Sequence, residues 1–156
     1  MCGITGFFKL SSDATVENSL LTTMNQAQFH RGPDEGGEYI DDHVALGHRR
    51  LSIIDLSSGQ QPMLSDCENY ILVFNGEIYN FPEVREELIA KGHHFNTHSD
   101  TEVILRALME WGEESIHKLR GMFAYALWDK VKKSLYVTRD RLGIKPLFWA
   151  IIDDVF

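Results

Sequence analysis

The chain has 156 residues, 44% hydrophobic and 24% charged, which suits one globular domain with a sizeable core. Its net charge of −8 argues against nucleic acid or an anionic membrane as the main partner. No apolar run approaches the ~20 residues of a membrane span, no basic-then-apolar leader opens the chain, and its two cysteines, Cys2 and Cys67, make no disulfide framework.

In chain order, residues 4–10 read as a strand. Val16, Leu20, Met24 and Ala27 recur at helical spacing, which predicts an amphipathic helix over residues 15–29. "HRGPDEGG" (residues 30–37) reads as a glycine-rich loop. Residues 44–48 and 51–56 read as strands joined through Arg49 and Arg50, with residues 57–62 as a loop. Residues 70–74 are rich in β-formers and read as a short buried strand, followed by "NGEIYN". Asn80 and Glu83 have capping-box spacing for a helix that runs to about Lys91 and stops at Gly92. Ser99 and Glu102 form a second such pair, before a helix showing Val103, Ile104, Ala107, Leu108 and Trp111 on one face and ending at Gly112. "MFAYALWD" and "SLYVTRD" alternate as a hairpin across residues 130–133. "KPLFWAII" (residues 145–152) reads as another strand, Asp153 and Asp154 as a turn, and Val155 with Phe156 as the start of a further strand. The order lacks regular βαβ alternation, so mainly antiparallel sheets with helices packed on them are expected in an α+β domain.

Cys2 follows the initiator methionine directly. A free thiol has an ordinary pKa near ~8.5 and a free α-amine one near ~7.7–8.0. If Met1 is removed, Cys2 therefore carries a nucleophile and a base on one residue, the device of N-terminal nucleophiles. Gly3 leaves room for a substrate beside the backbone. Asn75 and Gly76 could supply two N–H donors to a tetrahedral oxyanion, although Asn-Gly is equally a turn signal. Arg50 could grip a carboxylate in bidentate fashion or be a solvated surface arginine. Glu77 and Asp100 could each hold an ammonium group, and Asp100 also suits a first helical turn. Arg31, in the "HRG" loop, could line a site or belong to an ordinary connection. The histidines of "HHFNTH" (residues 93–98) have no second cluster to complete a metal site. No phosphate-binding glycine motif is present. Cys67 is expected as a small, partly buried residue.

Together and in order, "MCGITGFF", "HRGPDEGG", "GHRRLSIIDLSSGQQPM", "FNGEIYNFPEVREEL", "HSDTEVIL", "LRGMFAYALWD" and "RDRLGIKPLF" resemble the class II glutamine amidotransferase domain, and within it the N-terminal domain of glutamine-hydrolysing asparagine synthetases. The resemblance covers essentially the whole chain. It implies an N-terminal-nucleophile hydrolase fold, an αββα sandwich of two mainly antiparallel sheets between helical layers. It implies L-glutamine as substrate, Cys2 as nucleophile and its α-amine as base. Asn75 and Gly76 become the oxyanion hole, Arg50 the ligand of the glutamine carboxylate, and Glu77 and Asp100 the ligands of its ammonium. Backbone at Leu51 and Ile53 completes the pocket, and Arg31 helps to order it. No metal or cofactor is expected in this domain. ATP and Mg are expected only in a second, C-terminal synthetase domain, which is absent here, so the chain is expected to be C-terminally truncated. A cytoplasmic location is also expected, with a homodimer as one assembly and no nucleic-acid or membrane partner. Two alternatives remain open at this point: an amidotransferase serving a sugar or secondary-metabolite acceptor, and a non-catalytic dimerisation module.

Overall fold

Alternation of apolar residues drives two antiparallel sheets in the computed structural model, which describes residues 1–51 and 59–156. The first sheet has the order β1-β3-β2, with β1 at Gly3–Phe8, β2 at Glu35–Ile40 and β3 at Val44–Arg50. The second has the order β4-β5-β6-β7, with β4 at Met63–Leu64, β5 at Tyr70–Ile78, β6 at Gly121–Asp129 and β7 at Ser134–Arg139. Helix α1 (Asn18–Ala27) covers the outer face of the first sheet; α2 (Phe81–Ala90) and α3 (Asp100–Trp111) cover that of the second.

Period-two alternation then sorts the core into layers. Val44 and Leu46 of β3 meet Ile71, Val73, Ala126 and Trp128 between the sheets. Ala45 and Phe7 pack outward with Leu21 of α1. Leu72, Phe74 and Ile78 pack outward against Val84, Leu88, Val103, Ile104 and Leu108 of the two helices. This is the expected α/β/β/α order. Among the described residues, no helix is long and apolar enough to cross a membrane.

Several local expectations are corrected. "EGGEYI" is strand β2, not the end of a loop. Gly36 and Gly37 lie in it because a Cβ there would meet the Arg49 side chain and the Gln61 carbonyl oxygen respectively. Strand β3 runs through Arg50, and Leu51 has no regular structure; the rest of the strand expected at 51–56 lies outside the described residues. β5 extends through Asn75, Gly76 and Glu77 to Ile78, so "NGE" is neither a turn nor a segment after the strand. Asn80 does not cap α2. Its side chain accepts from the Arg120 N–H (2.7 Å) and donates to the Lys118 carbonyl (2.9 Å), tying the start of α2 to β6. Ser99 does cap α3, accepting from the Glu102 N–H at 3.2 Å. Residues 145–152 do not form a strand; Phe148 is 92% exposed there. Val155 and Phe156 do pair, with the far end of β1, through two backbone bonds between Phe8 and Phe156 at 2.8 and 2.9 Å. Cys67 is exposed, not partly buried.

Candidate active site

The site begins with a short neighbour. β4 pairs only with Leu72 and Ile71, so beyond them one edge of β5 has no strand beside it among the described residues. The ladder continues past Ile78 with Tyr79 N–H donating to Arg120 C=O at 2.7 Å. Antiparallel alternation then points the amides of residues 75 and 77 at β6 and those of 74, 76 and 78 at the open edge. Phe74 N–H is taken by Gln61 Oε1 (2.6 Å), and Ile78 N–H by Asp100 Oδ2 (3.0 Å). Gly76 N–H, between them, has no acceptor among the described residues. Glycine is required here: a Cβ would drive into the Met122 carbonyl oxygen and reach 2.6 Å from Phe123 Cα. Asn75 sends its buried side chain to the opposite face, between the sheets.

Cys2 precedes β1, and its thiol faces Leu51. Leu51 N–H donates to Sγ at 3.4 Å, and Sγ lies 3.7 Å from the Leu51 carbonyl oxygen. Arg31 Nε donates to the Cys2 carbonyl (3.1 Å) and Gln28 Nε2 to that of Ile4 (3.0 Å), so two side chains hold the start of β1.

A pocket of about 300 Å³ brings Cys2, Arg50, Leu51, Asn75, Gly76, Glu77 and Asp100 together. Arg31 stands outside it, in the wall of a neighbouring apolar cavity of about 360 Å³ that shares Asn75. Ile53 lies outside the described residues.

Arg50 is not a solvated surface arginine: it is 4% exposed, and its Nη1 is 2.9 Å from Glu35 Oε2. Glu35 and Arg50 are register partners across β2 and β3. Asp100, the first residue of α3, is 5% exposed. Burial pushes its carboxyl up to about 6, and the nearby Glu77 charge adds to this, against the backbone N–H groups of Ile78 and Thr101. His48 is also buried, and burial, with the charges of Arg50 and Arg49, pulls it down to about 4. It is therefore neutral near pH 7, and its Nε2–H donates to the Phe74 carbonyl at 3.0 Å. That bond locks β3 to β5 beside Arg50 and Asn75.

Glu35, Gln61, His48 and Lys145 escaped the sequence reading. Lys145 lines the pocket with 5% exposure, its Nζ 3.0 Å from Met1 Sδ. Register across a recognised β2 would have revealed Glu35; no local signal marks the other three. Among the described residues, no three His, Cys, Asp or Glu side chains are grouped as a metal site.

The glutamine amidotransferase domain family matches residues 1–156. The chain is 51% identical over 99% of its length to asparagine synthetase [glutamine-hydrolyzing] 1 of Bacillus subtilis, and 41% identical over 95% of its length to asparagine synthetase B [glutamine-hydrolyzing] of Escherichia coli. It spans about a quarter of the length of these relatives, 25% and 26%. The glutamine phosphoribosylpyrophosphate amidotransferase of B. subtilis, solved with ADP and GMP, superposes with a TM-score of 0.73 over 97% of this chain and 40% of that one. At 19% identity that likeness is one of fold.

Proposed function

This chain belongs to the glutamine amidotransferase domain family, and from that premise we propose that it hydrolyses L-glutamine to glutamate and ammonia through a thioester on Cys2. The observation that carries the reading is one pocket lined by Cys2, Asn75 and Gly76, the Gly76 N–H having no acceptor among the described residues. Removal of Met1 frees the Cys2 α-amine. Arg50, held by Glu35, receives the glutamine α-carboxylate; Glu77 and Asp100 receive its ammonium group. The amine takes the thiol proton as Sγ attacks the side-chain amide carbon. The resulting oxyanion accepts from the Asn75 amide N–H and the Gly76 N–H, a donor pair in which removing one good member costs roughly 3–4 kcal/mol of transition-state stabilisation. The amine returns the proton to the departing ammonia, and water hydrolyses the thioester. Leu51 backbone orients the sulfur, and Arg31 fixes the Cys2 carbonyl.

In the same reading the ammonia serves ATP-dependent asparagine synthesis from aspartate, carried out in the cytoplasm by a synthetase domain. The identities to asparagine synthetases support this. ATP and Mg belong to that domain, since this sequence has no glycine motif for phosphate.

Intact mass before and after 6-diazo-5-oxo-L-norleucine, with peptide mapping, tests the proposal. The expected result is a chain lacking Met1 and carrying one adduct, on Cys2. A processed chain that takes no adduct, or takes it on Cys67, overturns it.

A further inference from the structure

The pocket contains a cation that the mechanism above does not use. Lys145 is 5% exposed, and among the described residues its ammonium has a single partner, the Met1 thioether, at 3.0 Å. A thioether is a weak acceptor, and a buried ammonium without an anion is costly. The side chain is also anchored. Its backbone N–H donates to Asp140 Oδ2 at 2.9 Å and that of Ile144 to Oδ1 at 2.8 Å, while Asp140 Oδ2 accepts from Phe123 N–H of β6 at 3.2 Å. The loop after β7 therefore presents Lys145 to the pocket from a fixed base.

The proposed reaction requires Met1 to leave. Its departure removes the Met1 thioether from Lys145 and creates the Cys2 α-amine, at the nitrogen to which Met1 was bonded. Lys145 Nζ touches the end of the Met1 side chain, and Lys145 and Cys2 line the same pocket. The other charges near the pocket come from several elements. Glu77 of β5 and Asp100 of α3 are anions that favour a protonated amine. Arg50 of β3 is matched by Glu35 of β2. Arg31 is turned to the Cys2 carbonyl. β6 contributes Met122, which is uncharged. Among the described residues, Lys145 is the pocket cation that forms no ion pair with a carboxylate, and a neighbouring like charge disfavours protonation of an amine.

We propose that Lys145 is a positioning residue for the Cys2 base: once Met1 is removed, its ammonium faces the new α-amine and keeps it neutral and able to accept the thiol proton near pH 7. This rests on the glutaminase reading.

The test uses residues 2–156 released from a fusion cut directly before Cys2, so that every variant starts with a free amine. Glutamine kcat/KM and the rate of Cys2 labelling by 6-diazo-5-oxo-L-norleucine are followed from pH 6 to 9 for wild type, Lys145→Arg and Lys145→Met. Wild type and K145R are expected to share one acidic limb. In K145M the limb moves up by about one pH unit, making labelling roughly tenfold slower at pH 6.5 and equal at pH 9. Asp100 titrates near pH 6 in all three and cancels in the ratio to wild type. If K145M does not fold, Lys145→Gln carries the same comparison. A neutral variant that keeps the wild-type limb, or is slowed by one factor at every pH, overturns the role of Lys145. A wild-type chain that neither labels nor hydrolyses glutamine overturns the glutaminase reading itself.

Discussion

Asp100→Asn separates what the site needs from what the fold prefers. Burial raises the Asp100 carboxyl from 3.8 to about 6, with the Glu77 charge in support. The folded chain therefore keeps this proton up to about pH 6, whereas the unfolded chain releases it near 3.8. Between those values the folded state binds more protons, so stability falls as pH rises, and above pH 6 the whole cost persists. A gap of about two pH units corresponds to about 3 kcal/mol. Asparagine carries no charge, and its amide oxygen still accepts from Ile78 N–H. D100N is thus expected to be more stable than wild type by up to about 3 kcal/mol at pH 7.5, roughly 6–12 °C in melting temperature for a domain of this size. Below pH 4 the two should coincide. The substitution also removes an anion proposed to hold the glutamine ammonium, so KM rises while the fold tightens. Wild-type affinity for glutamine should fall below pH 6, as binding must then expel a proton, and D100N should lose that dependence. Urea unfolding at pH 4 and 7.5, beside glutaminase kinetics, checks both halves. A D100N chain no more stable than wild type at pH 7.5, or equally stabilised at pH 4, refutes the reasoning.

Other perturbations address single contacts. Asn75→Ala removes a side chain with no hydrogen-bond partner of its own among the described residues, so thermal melting should barely move while glutaminase kcat falls by about 10²–10³. Gly76→Ala would force β5 from β6 at the Met122 carbonyl and Phe123; equilibrium unfolding should show a loss of about 1–3 kcal/mol, with labelling of Cys2 lost too. Glu102→Gln weakens a buried carboxylate that accepts from Asn96 N–H, Thr97 N–H and Arg106. A calorimetric loss of roughly 3 kcal/mol is expected, at the low end for breaking a buried pair because Asp66 still holds Arg106 at 2.7 Å.

The sequence was most legible where chemistry and chain order coincide. Cys2, Arg50, Asn75, Gly76 and Asp100 stand out through the ordered set of motifs rather than singly, and the pocket contains all five. Legibility failed where a residue's role depends on a neighbour far along the chain. Gly36 and Gly37 lower strand propensity, yet they lie in β2 because Arg49 and Gln61 occupy the space a side chain would need. Without β2, Glu35 has no register with Arg50. "KPLFWAII" has the composition of a strand, but composition supplies no neighbouring edge; Trp149 is 69% exposed and the segment is irregular. Lys145, at its start, carries no local signal of a place in the pocket, which depends on the bond of its backbone N–H to Asp140.

"NGE" was misplaced for a reason that bears on the chemistry. A donor inside a strand is normally spent on the ladder, so a turn seems the natural place for a free amide. Here β4 stops early, and the edge of β5 keeps its N–H groups while the β6 side still holds the strand rigid. Gln61 and Asp100 close the amides on either side of Gly76. The start of β1 follows the same logic, with Gln28 and Arg31 donating to carbonyls that no strand uses. A donor held this way is already aimed, gives up no hydrogen bond when charge develops before it, and needs no reorganisation at the moment of reaction, the condition under which oxyanion stabilisation is largest. On the mechanism proposed above, the short β4 serves the oxyanion hole by leaving that edge of β5 open among the described residues.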